Sequence, residues 1–212
     1  AERGSTDAMM SLGSAFLYGV GVIANPEEGF RWYQRAAEAG SREGESKLAE
    51  LLLQGSGVAV NQLEAAAWCR KAAEHGHAFA QGMLGFLYTV GSGVEKNEDE
   101  AFKWSQMSAI QGDAAGQWML AECYLWGRGT LKDAAKAREW LVKSAKTGYY
   151  RSQRRLAEIY YYAMDVERSY SEAGRWASLA ADQGDAEAQF IIGEMFVFGH
   201  GVEADPSAGA KW

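Results

Sequence analysis

The sequence predicts an all-α solenoid built from helix-turn-helix repeats of 36 residues, and three observations carry that prediction. Stepping by 36 from Gly4 lands on Gly40, Gly76, Gly112, Gly148 and Gly184 without a slip in register. The same step joins Trp32, Trp68, Trp104, Trp140, Trp176 and Trp212, six of the eight tryptophans. A third column, Leu12, Leu48, Leu84, Leu120, Leu156 and Ile192, is followed at once by a small one, Gly13, Ala49, Gly85, Ala121, Ala157 and Gly193. Small side chains at that position let a neighbouring helix approach closely. The full repeats are therefore set at 5–40, 41–76, 77–112, 113–148 and 149–184, with 1–4 as the end of a preceding repeat and 185–212 as a partial one.

The first helix of each repeat is written most simply in the opening copy, from about Ala8 to Tyr18, where Ala8, Leu12, Phe16 and Gly19 share one side at helical spacing. It ends on a glycine doublet, Gly19 and Gly21 followed by Val22, which recurs as Gly55/Gly57/Val58, Gly91/Gly93/Val94 and Gly199/Gly201/Val202. Glycines so placed leave a helix at positive φ and re-aim the chain. The second helix opens on a column of N-caps, Asn25, Asn61, Asn97, Asp133, Ser169 and Asp205. Glutamate follows three positions on in four copies (Glu28, Glu64, Glu100, Glu172), and Pro26 and Pro206 take the first helical position, so capping-box and proline signals agree. The helix then carries the Trp column and alanine pairs such as Ala36-Ala37 and Ala72-Ala73, and stops at the glycine between repeats.

The fourth and fifth copies depart from the pattern. Thr130 replaces the usual valine, a mild change, whereas Ala163-Met164-Asp165 replaces the glycine doublet, so the fifth turn is expected to take another shape or to hold non-glycine residues under strain. Both ends of the sequence fall inside repeats, and the expectation is a fragment of a longer chain whose open terminal repeats are able to stack.

Composition narrows the function. A net charge of -7 with mixed signs offers no basic face for phosphates, so nucleic acid is not an expected partner. The longest apolar stretch, Phe190 to Phe198, is broken by Glu194 and too short to span a bilayer, so membrane insertion is not expected. Cys69 and Cys123, the two cysteines, exclude a disulfide framework and sit where other copies carry Tyr33 or Leu51 and Leu87, as small packed hydrophobes. His75, His77 and His200 offer too few ligands for a metal and are expected as exposed turn residues. The recurring carboxylates Glu50, Glu122, Glu158 and Glu194 are expected as a solvated ladder, with no nucleophile set beside a base. No catalytic residue, cofactor or metal is expected, and the chain is not expected to be an enzyme.

The signature A-x-x-x-L-G-x-x-Y-x-x-G-x-G-V, then Asn or Asp, then A-x-x-W-Y-x-x-A-A-x-x-G, clearest at Ala8 to Gly40 and Ala80 to Gly112, resembles the SEL-one-like repeat (SLR) family, a relative of the tetratricopeptide repeat with a longer unit. The resemblance implies a right-handed α/α superhelix with the first helices lining its concave face. It also implies a protein-assembling scaffold or adaptor, often in bacterial signalling, envelope assembly or host interaction, and tilts the compartment toward periplasmic or exported. Cysteine-rich members staple the two helices of a repeat; Cys69 and Cys123 lie two repeats apart, so that pattern is absent.

Constant columns hold the fold, which leaves the far side of the first helices free to specialise. Among the positions equivalent to Phe79, Gly82, Phe86 and Thr89, the Gly82 column differs in every copy, and this face gains Met10, Phe79, Phe86, Trp118, Tyr161 and Phe190 with Arg151 and Arg154, and Arg155 at its edge. Aromatic side chains beside arginines are common interface anchors. The expected site is thus a concave peptide or protein site centred on Trp118, Arg151 and Arg154 and framed by Glu122 and Glu158. The competing reading is structural: Arg154 pairs with Glu158 four residues on, and Trp118 packs on a neighbour. Self-association through the terminal repeats is the alternative function, and the six-tryptophan column is assigned to structure.

Overall fold

The computed structural model describes residues 5–212. Among these residues the protein is an all-α helical repeat solenoid of helix pairs with no strand. The pairs are α1 (Thr6–Tyr18) with α2 (Pro26–Glu38), α3 (Arg42–Gln54) with α4 (Gln62–Glu74), α5 (Ala78–Val90) with α6 (Glu98–Ile110), α7 (Ala114–Trp126) with α8 (Ala134–Lys146), α9 (Tyr150–Tyr162) with α10 (Tyr170–Ala181), and α11 (Ala186–Phe198) with the short α12 (Pro206–Gly209). The expected tail of a preceding repeat at 1–4 lies outside the described residues. Two compact units divide inside α7, one reaching to Met119 and the other Leu120–Trp212.

Every second helix starts on the expected cap. The side chains of Asn25, Asn61, Asn97, Asp133, Ser169 and Asp205 accept from the backbone N–H three residues on, at 2.9 to 3.3 Å. Each such bond satisfies one of the orphan donors of a helix N-terminus. The first helices carry caps that the sequence reading did not single out: Ser41, His77, Asp113 and Asp185 accept from Gly44, Ala80, Gly116 and Ala188. His77 is therefore a half-buried capping residue and not an exposed turn residue; burial holds its imidazole below the ordinary value.

In the first unit, α1 packs on α2, α3 on α4 and α5 on α6, with α2 on α3 and α4 on α5 between repeats. Leu48 is enclosed with Ala37, Leu52 and Ala65, and Leu84 with Cys69, Ala72, Ala80 and Trp104. Leu12 departs from its column in being exposed; the second helix that covers the equivalent residues has no counterpart among the described residues ahead of α1. The turn after α5 also locks onto the preceding repeat: a Cβ on Gly93 would collide with the carbonyl oxygen of Gln62, at the start of α4. Glycine is required there for close approach as well as for its φ of +68°.

In the second unit, α8 packs on α9, α9 on α10 and α11, and α11 on α10 and α12. Leu141, Leu156, Ala157, Ile159, Trp176 and Ile191 form its interior. The fifth turn keeps the left-handed backbone without glycine: Ala163 sits at φ 57° and Asp165 at φ 54°. The turn therefore adopts strain in place of a new shape, and Asp165 is tied there to Lys132 at 2.8 Å.

The Trp column is less deeply buried than a core residue. Trp104 and Trp176 are buried, Trp32, Trp68 and Trp140 half-buried and Trp212 exposed. Cations from the same helices cover the rings: Arg35 over Trp32 at 4.6 Å, Lys71 over Trp68 at 4.7 Å, Lys143 over Trp140 at 3.9 Å and Arg175 over Trp176 at 4.6 Å. Two of the glutamates read as capping-box residues hold the indole N–H groups: Glu100 accepts from Trp104 at 2.9 Å and Glu172 from Trp176 at 3.0 Å.

A further column was not singled out in the sequence. Gln81, Gln117, Gln153 and Gln189 each donate a side-chain N–H to the carbonyl eight residues back, Ala73, Ala109, Ala145 and Ala181. Those carbonyls belong to the last turns of the preceding second helices, where no intrahelical partner exists. In the second repeat the position is Glu45, fully buried, with His75 at 2.8 Å and Lys71 at 3.2 Å. His75 thus pairs with a buried carboxylate, a role its reading as an exposed turn residue did not foresee.

Candidate functional site

The first helices present an outward stripe whose chemistry differs between the units. In the first unit the stripe is apolar on α5, where Phe79, Phe86 and Val90 are exposed. Gly82, placed on this face by the sequence reading, is buried instead, because a Cβ there would meet Ser108, Asp113 and the Gly116 backbone. Met10 and Trp118 are half-buried, and both belong to this unit.

In the second unit the stripe is charged. Arg155 donates to Glu122 through Nε (2.7 Å) and Nη2 (3.1 Å) and to Glu158 through Nη1 (2.5 Å). Burial works to lower the Arg155 value, but the carboxylates of Glu122 and Glu158 outweigh it and hold the guanidinium above its ordinary range. Burial also pushes the Glu158 carboxyl up, against the pull of Arg155 and Arg154. Glu122 is only 7% exposed and also accepts from the Trp126 indole at 3.0 Å. The carboxylate ladder is therefore not uniformly solvated: its middle rungs are enclosed ion-pair partners that join α9 to the C-terminal half of α7.

Arg154 faces the other way along the stripe, toward α11. Its Nη1 donates to Glu187 at 2.6 Å and lies 3.5 Å from Asp185, and its Nε lies 3.5 Å from Glu158, the four-residue pairing foreseen in the sequence. Arg151, one turn earlier, donates to the Tyr150 hydroxyl at 3.1 Å, and that bond raises its value. Arg151, Arg154, Tyr150, Gln183, Asp185 and Glu187 line an open polar cavity of about 520 Å³. One turn beyond Glu187 on α11, Phe190 is 60% exposed.

Tyr161 does not lie open on this face as expected. It is 6% exposed, with its hydroxyl 3.0 Å from His200 Nδ1 and the ring edge-on to Tyr162 and Tyr170. Burial pushes its hydroxyl up to about 12. His200 in turn stacks on Tyr170 with centroids 4.6 Å apart, so it too is packed and not a free turn residue. Both cysteines are buried; Cys69 Sγ donates to the Ala80 carbonyl at 3.3 Å, and burial raises its thiol to about 12. Among the described residues no group of three or more His, Cys, Asp or Glu side chains gathers in a way that would hold a metal ion, and no helix is long and apolar enough to cross a membrane.

Six consecutive segments of the chain match the Sel1 repeat: residues 6–41, 42–77, 78–113, 114–149, 151–185 and 186–212. Among solved structures, a Sel1 repeat protein from Oxalobacter formigenes is 30% identical, with a TM-score of 0.90 over 98% of this chain and 83% of that one. A protective antigen of uropathogenic Escherichia coli with an SLR fold is also 30% identical, with a TM-score of 0.76 over 99% of this chain and 45% of its own length. An immunity protein from Pseudomonas aeruginosa shares the fold at 17% identity, with a TM-score of 0.64 over 100% of this chain and 76% of that one. No curated protein matches the chain.

Proposed function

The chain belongs to the Sel1 repeat family, and from that premise we propose that it is a protein-interaction scaffold whose partner, a peptide or a protein surface, docks on the outward stripe of its first helices in the second unit. The observation that carries this reading is Arg154 and Arg151 opening on a cavity one helical turn from the exposed Phe190. Most columns that recur serve packing: the Leu and Ala columns fill the interior, glutamines in four repeats hold helix ends, and cations cover the tryptophans. Residues that do not recur and that line an open cavity are those placed to recognise something else. An arginine beside an aromatic supplies both a directional donor array and a large apolar contact.

Glu122, Arg155 and Glu158 are assigned a supporting role, since Arg155 is held by both carboxylates and Glu158 also pairs with Arg154, and Tyr161 is buried. Contact with the partner is assigned to Arg151, Arg154 and Phe190. Phe79 and Phe86 provide an apolar stripe in the first unit, and Trp118 belongs with them. Affinity capture with immobilised protein, read by mass spectrometry, identifies the partner. The double variant Arg151→Glu, Arg154→Glu is expected to lose it while keeping the helical circular dichroism spectrum; undiminished capture would remove the partner from this cavity. Light scattering across a concentration series separates partner binding from self-association.

A further inference from the structure

We propose that the cavity at Arg154 takes a carboxylate side chain from the partner, in exchange for Glu187, and that Phe190 receives an apolar side chain two residues along the same partner segment. This rests on the reading of the second unit as the partner-binding face and names the chemistry that face selects.

The carboxylates around two neighbouring arginines, Arg154 and Arg155, stand unequally. Arg155 is held by Glu122 and Glu158, whose side chains are 9% and 18% exposed, so neither partner has room to swing away. Arg154 is held from within by Asp185, 4% exposed and fixed by its second duty as N-cap of α11, where it accepts from Ala188 at 2.9 Å. Its shortest bond, 2.6 Å, is to Glu187, whose side chain is 67% exposed. A charge-assisted bond of this geometry is directional and well formed. Yet a pair in which one member is solvated to this extent contributes little to stability, because water and side-chain entropy compete for the free carboxylate. Glu187 is thus the one carboxylate around Arg154 that is able to leave without abandoning a second role in the fold, and the place it leaves faces the cavity.

An incoming carboxylate would take over the outward Nη1 donor of Arg154 within reach of Arg151 and the Tyr150 hydroxyl, which donate and are not carboxylates. An uncharged amide at the same place would still face Asp185 and would gain no ion pair, so the exchange selects Asp or Glu over Asn or Gln. The apolar requirement follows from spacing. Glu187 and Phe190 are three residues apart on α11, about 5 Å along its axis. An extended segment places side chains two residues apart on one side at about 7 Å, a comparable separation. The motif is acidic, any residue, then aromatic or large aliphatic.

The test uses the protein with two synthetic tripeptides, acetyl-Glu-Ala-Phe-amide and acetyl-Gln-Ala-Phe-amide, titrated while the arginine Nε–Hε signals are followed by NMR. The acidic peptide is expected to shift the Arg154 signal saturably and to bind about five-fold more tightly than the glutamine peptide. Glu187→Gln, an exposed change that leaves the fold intact, is expected to strengthen acidic-peptide binding about three-fold by removing the internal competitor. Equal binding of the two peptides, or no gain in Glu187→Gln, overturns the exchange. Partner capture distinguishes the two levels: if Arg151→Glu, Arg154→Glu abolishes capture while the peptides bind alike, the scaffold reading stands and carboxylate exchange fails, whereas capture that survives the double variant sinks the site itself.

Discussion

Glu45 occupies a column where the four later repeats use glutamine, and the difference is one of hydrogen-bond sign. An ionised carboxylate accepts only, so Glu45 is unable to donate to the Ala37 carbonyl as Gln81 donates to Ala73, and it takes Lys71 and His75 as partners instead. Glu45→Gln should restore the donor, and because Lys71 and His75 are about half exposed they regain water when the carboxylate is lost. The expected result is unchanged or raised stability, by up to about 1 kcal/mol, with Glu45→Ala losing about 2 kcal/mol through its unfilled buried site; urea midpoints of the two variants check this. Cys69 and Tyr161 contribute to a loss of stability at alkaline pH. Their folded values, both about 12, lie above the ordinary 9.0 and 10.0, so the native state holds protons that the unfolded chain releases in that window. The stability of their neutral burial is whole below pH 9 and drains as pH rises toward 12. The Cys69 thiol should accordingly resist a thiol reagent at pH 8 until the chain is unfolded by urea, and rapid labelling of native protein would contradict its burial. The pairing of Glu45 and the burial of Tyr161 were not legible in the sequence, whereas the Cys69 position already marks a small packed hydrophobe. A glutamine repeated every 36 residues looks like a solvated polar position, and its burial depends on a carbonyl across the repeat junction that one-dimensional spacing does not reveal.

Helix boundaries were legible because each is signalled by local chemistry. The six caps of the second helices act as read, and the glycine doublets leave their helices at positive φ. The fifth turn is the informative exception. Ala163 holds φ 57° where its counterparts are glycine, a conformation that costs an L-residue about 1 kcal/mol or more. Ala163→Gly should therefore raise stability despite the greater freedom it gives the unfolded chain, by about 0.5–1 kcal/mol in a urea melt. Asp165→Gly should gain less, because it gives up the exposed pair with Lys132 as it relieves φ. The opposite exchange in the third repeat, Gly93→Ala, sets a Cβ against the Gln62 carbonyl as well as fixing a positive φ, and should cost more than 3 kcal/mol. What the sequence did not separate is glycine used for φ from glycine used for contact, since both appear as the same letter in the same column.

Across the whole molecule the period is uniform, and the sequence columns run through Met119 and Leu120 without a mark, so the division into two units was not legible. Charge is divided unevenly between them: residues 1–119 hold 15 acidic against 9 Lys and Arg, a net of -6, while 120–212 hold 13 against 12, a net of -1. An acidic segment meets less repulsion at the second unit, in keeping with the exchange proposed at Arg154. Repeat architecture also sets how damage spreads. In a repeat architecture a unit packs chiefly on its neighbours, so stability approximates a sum of repeat and junction contributions, and a local loss need not unfold the chain at once. Leu156 is fully buried in the second unit, enclosed with no exposed surface, and Leu156→Ala should remove about 2–5 kcal/mol there. Hydrogen exchange followed by mass spectrometry should then show faster exchange across α8, α9, α10 and α11, while α3, α4 and α5 keep the protection of the unaltered protein. Leu84→Ala, equally buried in the first unit, should give the reverse pattern. If either substitution accelerated exchange uniformly from α1 to α11, the chain would be a single cooperative body, and the nearest-neighbour account of its stability would fail.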